Sequence, residues 1–173
     1  MTGAGHAVIA LGSNLGDRQA IFTAALRDIA ETPGIDLEAI SSFHETPALR
    51  PWGVDPEAPA YLNAVALVST TLDPESLLDR LNAVERAHGR VRDERWGDRT
   101  LDLDIVAMGE RTLHTERVTL PHPRAHERDF VLRPWLEIAP DAVLPGHGTV
   151  RQLVAALEAA AESGAHDDEE ARS

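Results

Sequence analysis

Residues 99–108 read Arg-Thr-Leu-Asp-Leu-Asp-Ile-Val-Ala-Met, and their apolar and acidic side chains alternate with the period of a β-strand. Because successive side chains of a strand point to opposite faces, the leucines and the isoleucine are predicted to face a core. Asp102 and Asp104 then project together from the other face, roughly 7 Å apart. Two such carboxylates repel each other unless a cation lies beside them, and ligands that are all oxygen favour a hard cation, Mg²⁺ above all. An isolated pair of this kind is more often a solvated acidic face, so its interpretation depends on its surroundings.

The rest of the chain supplies further strands and helices around this strand. Apolar periodicity predicts strands at residues 8–12, 35–43 and 61–70, and helices at 17–31 and 73–89. The resulting order, strand-helix-strand-strand-helix-strand, is the split βαβ pattern. It predicts an α/β (α+β) fold, a ferredoxin-like βαββαβ sheet with its helices on one face. A hairpin over 110–120, a helix over 130–138 and a final helix from a capping box at 149–152 are expected to decorate this sheet.

The composition is that of a single globular domain without a membrane span. The chain has 173 residues, of which 43% are hydrophobic and 26% charged, and no apolar run reaches the roughly 18 residues that a spanning helix needs. It has no cysteine, which excludes disulfides and thiolate chemistry and favours a cytoplasmic location. The net charge of −13 argues against binding to nucleic acid or to an anionic membrane. Residues 1–162 are therefore expected to form one domain, followed by a disordered acidic tail over 163–173.

The basic residues are distinctive because all 16 are arginine. Without lysine the chain has neither a P-loop nor a Schiff-base nucleophile. Arg90, Arg92, Arg95 and Arg99 nevertheless cluster just before the paired acids, with Trp96 among them. Arginine binds phosphate oxygens in a bidentate manner, and arginines beside metal-binding carboxylates have the polarity of a phosphoryl-transfer site. The alternative is that these arginines pair with the acids of their own segment on a solvated loop.

Three weaker patterns point to ligand binding. Tyr61 and Asn63 lie two residues apart on a predicted strand, after a proline-rich loop over 46–59, and a ring beside an amide suits a flat heterocycle. Residues 12–16 form a turn that offers backbone amides at a helix N-terminus. His122 lies between two prolines, whose restricted backbone suits a contact with phosphate or a role in acid–base chemistry. Each pattern alone is more often an ordinary structural or surface feature.

Taken in order, these segments closely resemble one enzyme family. The motifs are Gly12-Ser-Asn-Leu15, Ser41-Ser-Phe43 with Thr46-Pro47, Tyr61-Leu-Asn63, Gly89-Arg-Val-Arg92, Arg95-Trp-Gly97, Arg99-Thr-Leu-Asp-Leu-Asp-Ile105 and Pro121-His122. Together they resemble the 6-hydroxymethyl-7,8-dihydropterin pyrophosphokinases of folate biosynthesis, from about Val8 to about Leu153. The Arg-x-x-Leu-Asp-Leu-Asp segment is the most specific part of the resemblance.

The resemblance implies a role for each matching residue. It implies that Asp102 and Asp104 hold two Mg²⁺ ions and are catalytic together with Arg90 and Arg99. The implied pterin-binding residues are Thr46, Leu49, Tyr61, Asn63, Trp96 and Phe130, with the rings of Tyr61 and Phe130 on either side of the pterin. The implied ATP-binding residues are Asn82, Arg92, Arg99, Ile105, Arg117, Thr119, His122 and Arg128.

The resemblance also implies a reaction, the transfer of a pyrophosphoryl group from ATP to the hydroxymethyl oxygen of the pterin, which yields the pterin diphosphate and AMP. ATP is then a co-substrate, and the expected partners of the monomer are small-molecule substrates alone. Two alternatives stay open. Another Mg²⁺-dependent phosphoryl or nucleotidyl transferase would release ADP or pyrophosphate, and a non-catalytic ferredoxin-like binding module would bind nucleotide without consuming it.

Overall fold

An antiparallel sheet forms the centre of the protein, as described by a computed structural model for residues 5–13, 17–46, 48–50, 53–55, 60–88 and 101–171. The first elements are β1 (Gly5–Ser13), α1 (Arg18–Glu31), β2 (Ile35–Ile40), β3 (His44–Thr46), β4 (Ala48–Arg50), β5 (Gly53–Asp55), β6 (Tyr61–Thr70), α2 (Pro74–Ala87) and β7 (Asp102–Met108). The strand order is β2-β6-β1-β7, with every neighbouring pair antiparallel and β3 also paired with β6. The predicted α/β class is confirmed, and the ferredoxin-like assignment remains an interpretation that this strand order supports.

The C-terminal third adds small elements to this sheet. They are β8 (Leu113–His114), β9 (Thr119–Leu120), α3 (Asp129–Ile138), β10 (Val143–Leu144), β11 (Gly148–Thr149) and α4 (Val150–Ala171). The strands β8 and β9 form the hairpin predicted over 110–120, and α3 corresponds to the helix predicted over 130–138. No helix in the described part of the chain is long and apolar enough to cross a membrane.

One segment differs from the sequence expectation. The proline-rich loop predicted over 46–59 contains a short antiparallel pair, in which Ala48 of β4 lies opposite Asp55 of β5. Strands of three residues are too short to show a period, and the surrounding prolines hide them. The helix α4 extends to Ala171. The domain over residues 1–162 and the disordered tail over 163–173 stay predictions.

Helices cover both faces of the sheet: α1 and α2, the two helices of the predicted βαββαβ unit, lie on one face as expected, and the C-terminal α3 and α4 lie on the other. One core contains α1 and α2, with Phe22, Ile29, Leu77 and Leu81 fully buried against β1, β6 and β7. The second core contains α3 and α4, with Leu132, Trp135, Leu144 and Val150 buried against the opposite face. Both faces are apolar because Val8 and Val65 on the second face alternate with residues of the first. Burial of each such aliphatic side chain stabilises the fold by about 1.5–3 kcal/mol.

The helix starts follow the capping signals of the sequence. Asp17 Oδ1 accepts a hydrogen bond from the N–H of Ala20 at 3.1 Å, and Asp73 Oδ1 accepts one from the N–H of Ser76 at 2.7 Å. At α4, Thr149 Oγ1 accepts from the N–H of Gln152 at 3.1 Å. The side chain of Gln152 in turn accepts from the N–H of Thr149 at 3.3 Å, which confirms the predicted capping box. These caps satisfy backbone donors that a helix start leaves without partners.

Candidate active site

The strand register brings an amide and the two carboxylates onto one face of the sheet. Asn63 of β6 lies opposite Gly12 of β1, which in turn lies opposite Asp102 of β7. Two residues further along each strand, where the side chains again point to this face, Ala10 lies opposite Asp104. Because directly opposed residues of an antiparallel pair point to the same face, Asn63, Asp102 and Asp104 share the face on which α3 packs. This face is the candidate active site.

Gly12 leaves an open strip between the amide and the acids. A Cβ atom built on Gly12 would lie 3.7 Å from Asn63 Oδ1 and 4.0 Å from the Cβ of Asp102. Any side chain at this position would therefore fill the space that separates the two polar groups. Glycine keeps the backbone itself accessible there, which is a common reason for glycine in a strand next to a ligand.

One end of this face holds three of the predicted pterin-binding residues. Asn63 is only 6% exposed, and its Nδ2 donates to Thr46 Oγ1 at 2.7 Å. Thr46 of β3 lies directly opposite Tyr61 of β6, so the ring, the hydroxyl and the amide are close neighbours. The hydrogen bond to Thr46 fixes the orientation of the amide, since Nδ2 is then the atom directed to β3 and Oδ1 the atom beside Gly12. An amide held in this way presents a defined edge to a heterocycle.

The first turn of α3 brings Phe130 to the same face. The helix packs against β6 and β3, and the half-buried ring of Phe130 packs against the second core, which includes Val65 of β6. The guanidinium carbon of Arg128 lies 5.7 Å from the centre of this ring, within the range of a cation–π contact. The ring predicted to bind pterin therefore adjoins a cation predicted to bind ATP.

His122 and Arg128 provide the electrostatic surroundings of the carboxylates. Burial lowers the pKa of His122, Asp104 raises it, and the nearby Arg128 and Arg124 lower it further. Burial also lowers the pKa of Arg128, whereas Asp104 and Asp102 raise it. Both basic groups are thus close enough to Asp104 for an electrostatic interaction with its carboxylate. Neutral imidazole, a guanidinium and two carboxylates together suit a ligand that carries both phosphate and a metal ion.

The backbone holds His122 beside β7. Its N–H donates to the carbonyl of Val106 at 2.8 Å, and its Nδ1 accepts from the N–H of Arg124 at 3.2 Å. An accepting Nδ1 places the proton of the neutral ring on Nε2, so Nε2 is the atom that would donate to a phosphate oxygen. These two hydrogen bonds orient one ring nitrogen of His122 as a donor.

The donor set of β7 fits Mg²⁺. Asp102 is half-buried, Asp104 is exposed, and both belong to one strand face, where they offer carboxylate oxygens. Among the described residues no group of three or more histidines, aspartates or glutamates could enclose a metal by itself. Water and phosphate oxygens usually complete the coordination of Mg²⁺ in nucleotide sites.

Other predicted ATP residues lie between α2 and the β8–β9 hairpin, or in the core. Arg117 donates to the carboxylate of Asp79 on α2, a contact that raises the pKa of Arg117, and Asp79 lies one helical turn before the half-buried Asn82. Thr119 Oγ1 lies 3.3 Å from the Nδ1 of His114. Ile105 differs, because its side chain is buried in the first core, on the opposite face from the acids. A nucleotide contact at Ile105 would therefore involve its backbone.

Several predicted site residues remain predictions. Arg90, Arg92, Trp96 and Arg99 lie outside the described residues. Leu49 lies in β4, where only the backbone is described.

The structure also shows supporting residues that sequence reasoning missed. Glu85 of α2 is 2% exposed, and its Oε1 accepts from the N–H of Leu103, between the two acids, at 3.3 Å. Arg18 of α1 donates to the carbonyl of Ala60 at 2.5 Å and to Glu45 Oε1 at 2.6 Å, so it holds the residues that precede Tyr61 and Thr46. The available signal for Glu85 was an acid one turn after Leu81 on the apolar side of a predicted helix.

Comparison with known proteins assigns a family to this arrangement. The model of the family described as 7,8-dihydro-6-hydroxymethylpterin-pyrophosphokinase (HPPK) matches residues 8–140. A relative from Methylorubrum extorquens, named 2-amino-4-hydroxy-6-hydroxymethyldihydropteridine pyrophosphokinase, is 43% identical over 88% of this chain and 94% of its own. A relative of the same name from Haemophilus influenzae is 45% identical over 86% of this chain and 90% of its own.

Solved structures show the same fold. A wild-type Plasmodium falciparum HPPK-DHPS structure with pteroate superposes with a TM-score of 0.67 over 89% of this chain, at 14% sequence identity. This chain spans 42% of that protein, less than half of its length. The likeness therefore concerns the architecture of one portion of the longer protein.

Proposed function

The chain belongs to the 7,8-dihydro-6-hydroxymethylpterin-pyrophosphokinase family, and we propose that it transfers a pyrophosphoryl group from ATP to 6-hydroxymethyl-7,8-dihydropterin. The reaction yields the pterin diphosphate and AMP and belongs to folate biosynthesis. The observation that carries the proposal is the shared face of β6, β1 and β7, where Asn63 and Asp102 flank Gly12. A site for a heterocycle and a site for a metal-bound phosphate are therefore contiguous.

The pterin is proposed to lie at the end of the face that holds the amide. Tyr61 and Phe130 provide the rings on its two sides, and Asn63, oriented by Thr46, recognises its edge. Leu49 and Trp96 are proposed to complete this pocket. The open strip at Gly12 then directs the hydroxymethyl group of the pterin towards the carboxylates of β7.

ATP is proposed to lie beside β7, with its phosphates at the acids. Arg128 and the Nε2 of His122 neutralise and bind phosphate oxygens, and Arg90, Arg92 and Arg99 are proposed to add to this set. Asn82, Arg117, Thr119 and the backbone of Ile105 are proposed to bind the nucleoside end. Arginine thus takes the role that a P-loop lysine has in other nucleotide sites.

Asp102 and Asp104 are proposed to hold two Mg²⁺ ions. When bound, Mg²⁺ neutralises phosphate charge and makes a coordinated hydroxyl more acidic. The hydroxymethyl oxygen of the pterin loses its proton to water and attacks the β-phosphorus of ATP, a bond forms between them, and the bond from the β-phosphorus to the α-phosphate oxygen breaks. AMP leaves with that oxygen. The chain contributes orientation of the two substrates and cationic groups at the phosphates, so no strong side-chain base is required.

Nucleotide chromatography of the reaction products tests this proposal. The purified protein is incubated with ATP, Mg²⁺ and 6-hydroxymethyl-7,8-dihydropterin, beside samples without pterin and with EDTA. AMP that forms only with pterin and metal supports the proposal. ADP or pyrophosphate would instead show another transferase, and unconsumed ATP beside an active control enzyme would show a binding module. The monomeric state and the cytoplasmic location remain predictions.

A further inference from the structure

A hydrogen-bonded cluster that the proposed reaction does not use joins α3 to the segment before β3. The backbone N–H of Ser42 donates to Glu137 Oε1 at 2.8 Å, and the hydroxyl of Ser42 donates to Glu137 Oε2 at 2.9 Å. The Nε2 of His44 lies 3.0 Å from the same Oε2. One carboxylate thus contacts three polar groups that are 93 to 95 residues away in the sequence.

The segment that Glu137 contacts is itself fixed to the central sheet. The N–H of Ser41 donates to the carbonyl of Val65 at 2.9 Å, and the N–H of Val65 donates to Ser41 Oγ at 2.9 Å. Ser41 is 4% exposed, so its two bonds to β6 are shielded from water. Ser41 and Ser42, called here the serine segment, therefore link β6 on one side to α3 on the other.

Both ends of this link lead to proposed pterin residues. On the sheet, His44 lies directly opposite Asn63, and Thr46 accepts the hydrogen bond that orients the amide of Asn63. On α3, Phe130 precedes Glu137 by two helical turns, so both side chains project from the same side of the helix.

The hydrogen bonds within α3 do not fully fix the helical turn that contains Phe130. Pro134 lies inside α3 and has no N–H to donate to the carbonyl of Phe130, four residues earlier. The position of this turn over the sheet therefore depends more on contacts between α3 and its neighbours. Glu137 makes such a contact from the same side of the helix.

We propose that Glu137 is a positioning residue whose carboxylate ties α3 to the serine segment and thereby sets the position of Phe130 over Tyr61 and Asn63. This inference rests on the proposed pterin site. The N–H of Ser42, and next the side chain of His44, lower the pKa of Glu137. The carboxylate is therefore ionised at neutral pH, and its hydrogen bonds are charge-assisted, which makes them stronger than neutral ones.

Steady-state kinetics of Glu137→Ala, with each substrate varied in turn, tests this role. The expected result is a KM for the pterin raised about tenfold, because hydrogen bonds to a charged group are lost, whereas the KM for ATP stays at the wild-type value. Ser42→Ala keeps the backbone donor and should give a smaller rise. Glu137→Gln keeps the shape and one acceptor and should lie between wild type and Glu137→Ala.

Glu158→Ala is the matched control. Glu158 of α4 also contacts α3, through a 2.9 Å ion pair with Arg133, and this contact joins α3 to α4 rather than to the serine segment. This variant should keep the wild-type KM for both substrates. Thermal unfolding of each variant separates lost positioning from lost folding, and Ser42→Ala remains informative if Glu137→Ala does not fold.

Two outcomes would overturn the inference. One is an active Glu137→Ala enzyme with a wild-type KM for the pterin. The other is an equal rise of both KM values that follows the loss of thermal stability, since a general structural role would act on both substrates. Wild-type protein that forms no AMP would instead refute the proposed function, so the two failures are distinguishable.

Discussion

Asn63 and Asp102 lie on the same face of the sheet on either side of Gly12, each one strand away from it. The amide belongs to the proposed pterin site and the carboxylate to the proposed metal site. Three adjacent strands therefore set the spacing between the two proposed sites, and this spacing does not depend on the conformation of a loop. Sites built on regular elements hold reacting groups more precisely than sites on loops do.

Gly12→Val is expected to reduce activity while preserving the fold. The first added carbon would lie at ordinary contact distances, 3.7 Å and 4.0 Å from its neighbours, so the strand tolerates it. The branched side chain would nevertheless fill the strip between the substrates, and kcat/KM should fall about a hundredfold, as misplacement of reacting groups by about 1 Å does. Gly5→Val, at the other end of β1, is the matched control for strand propensity. Equal activity of both variants would show that the strip is not part of the site.

Asp102→Asn and Asp104→Asn are each expected to lower kcat by about three orders of magnitude, because stabilisation of phosphate charge by metal contributes several kcal/mol to the transition state. The measurement is the initial rate as a function of Mg²⁺ concentration, with circular dichroism to confirm folding. Asp36→Asn, an exposed acid on β2, serves as the control. Normal rates and an unchanged Mg²⁺ requirement in both variants would disprove the assignment of the metal site.

Asn63→Ala should weaken pterin binding selectively. The change removes the recognised edge and leaves Thr46 Oγ1 without its donor, and hydrogen-bond losses of this kind correspond to about a tenfold higher Kd or more. Equilibrium titration with the pterin, in the presence of a non-hydrolysable ATP analogue, measures the effect. Thr46→Val should show a smaller loss in the same direction. An unchanged pterin Kd in Asn63→Ala would place the heterocycle elsewhere.

The start of α2 should make stability depend on pH. The N–H of Ser76, followed by its hydroxyl, lowers the pKa of Asp73 below the ordinary value of 3.8. A lowered folded-state pKa means that the stabilisation is fully present above that ordinary value and is lost as the pH falls through the folded-state pKa. The difference in Tm between wild type and Asp73→Ala should therefore stay constant from neutral pH down to the ordinary value of 3.8 and shrink below it.

Asp73→Asn is the control for this titration. Asparagine also caps helices but has no carboxyl group to protonate. The difference in Tm between Asp73→Asn and Asp73→Ala should therefore change little with pH. If the difference in Tm from Asp73→Ala shrank equally at low pH for wild type and for Asp73→Asn, Asp73 would not be the group responsible.

Local patterns in the sequence predicted most of the elements that carry the site. The alternation around Asp102 and Asp104 predicted their shared face, and Asp73 and Thr149 mark the observed starts of α2 and α4. These features are local because they depend on the period of one element or on the capping of one turn.

Features that depend on tertiary pairing could not be predicted. The position of Gly12 between Asn63 and Asp102 follows from the register of three strands, which residue spacing along the chain does not encode. The contact of Glu137 with Ser42 and the packing of α3 over a second apolar face are long-range for the same reason. The arginine segment before β7 lies outside the described residues, so its role stays a prediction.

The pterin product itself tests the central claim most directly, through its mass after reaction with ATP and Mg²⁺. If the hydroxymethyl oxygen attacks the β-phosphorus, the pterin gains two phosphoryl groups and one AMP appears for each molecule formed. A pterin that carries one phosphoryl group, or a nucleotidyl group, would contradict the proposed transfer.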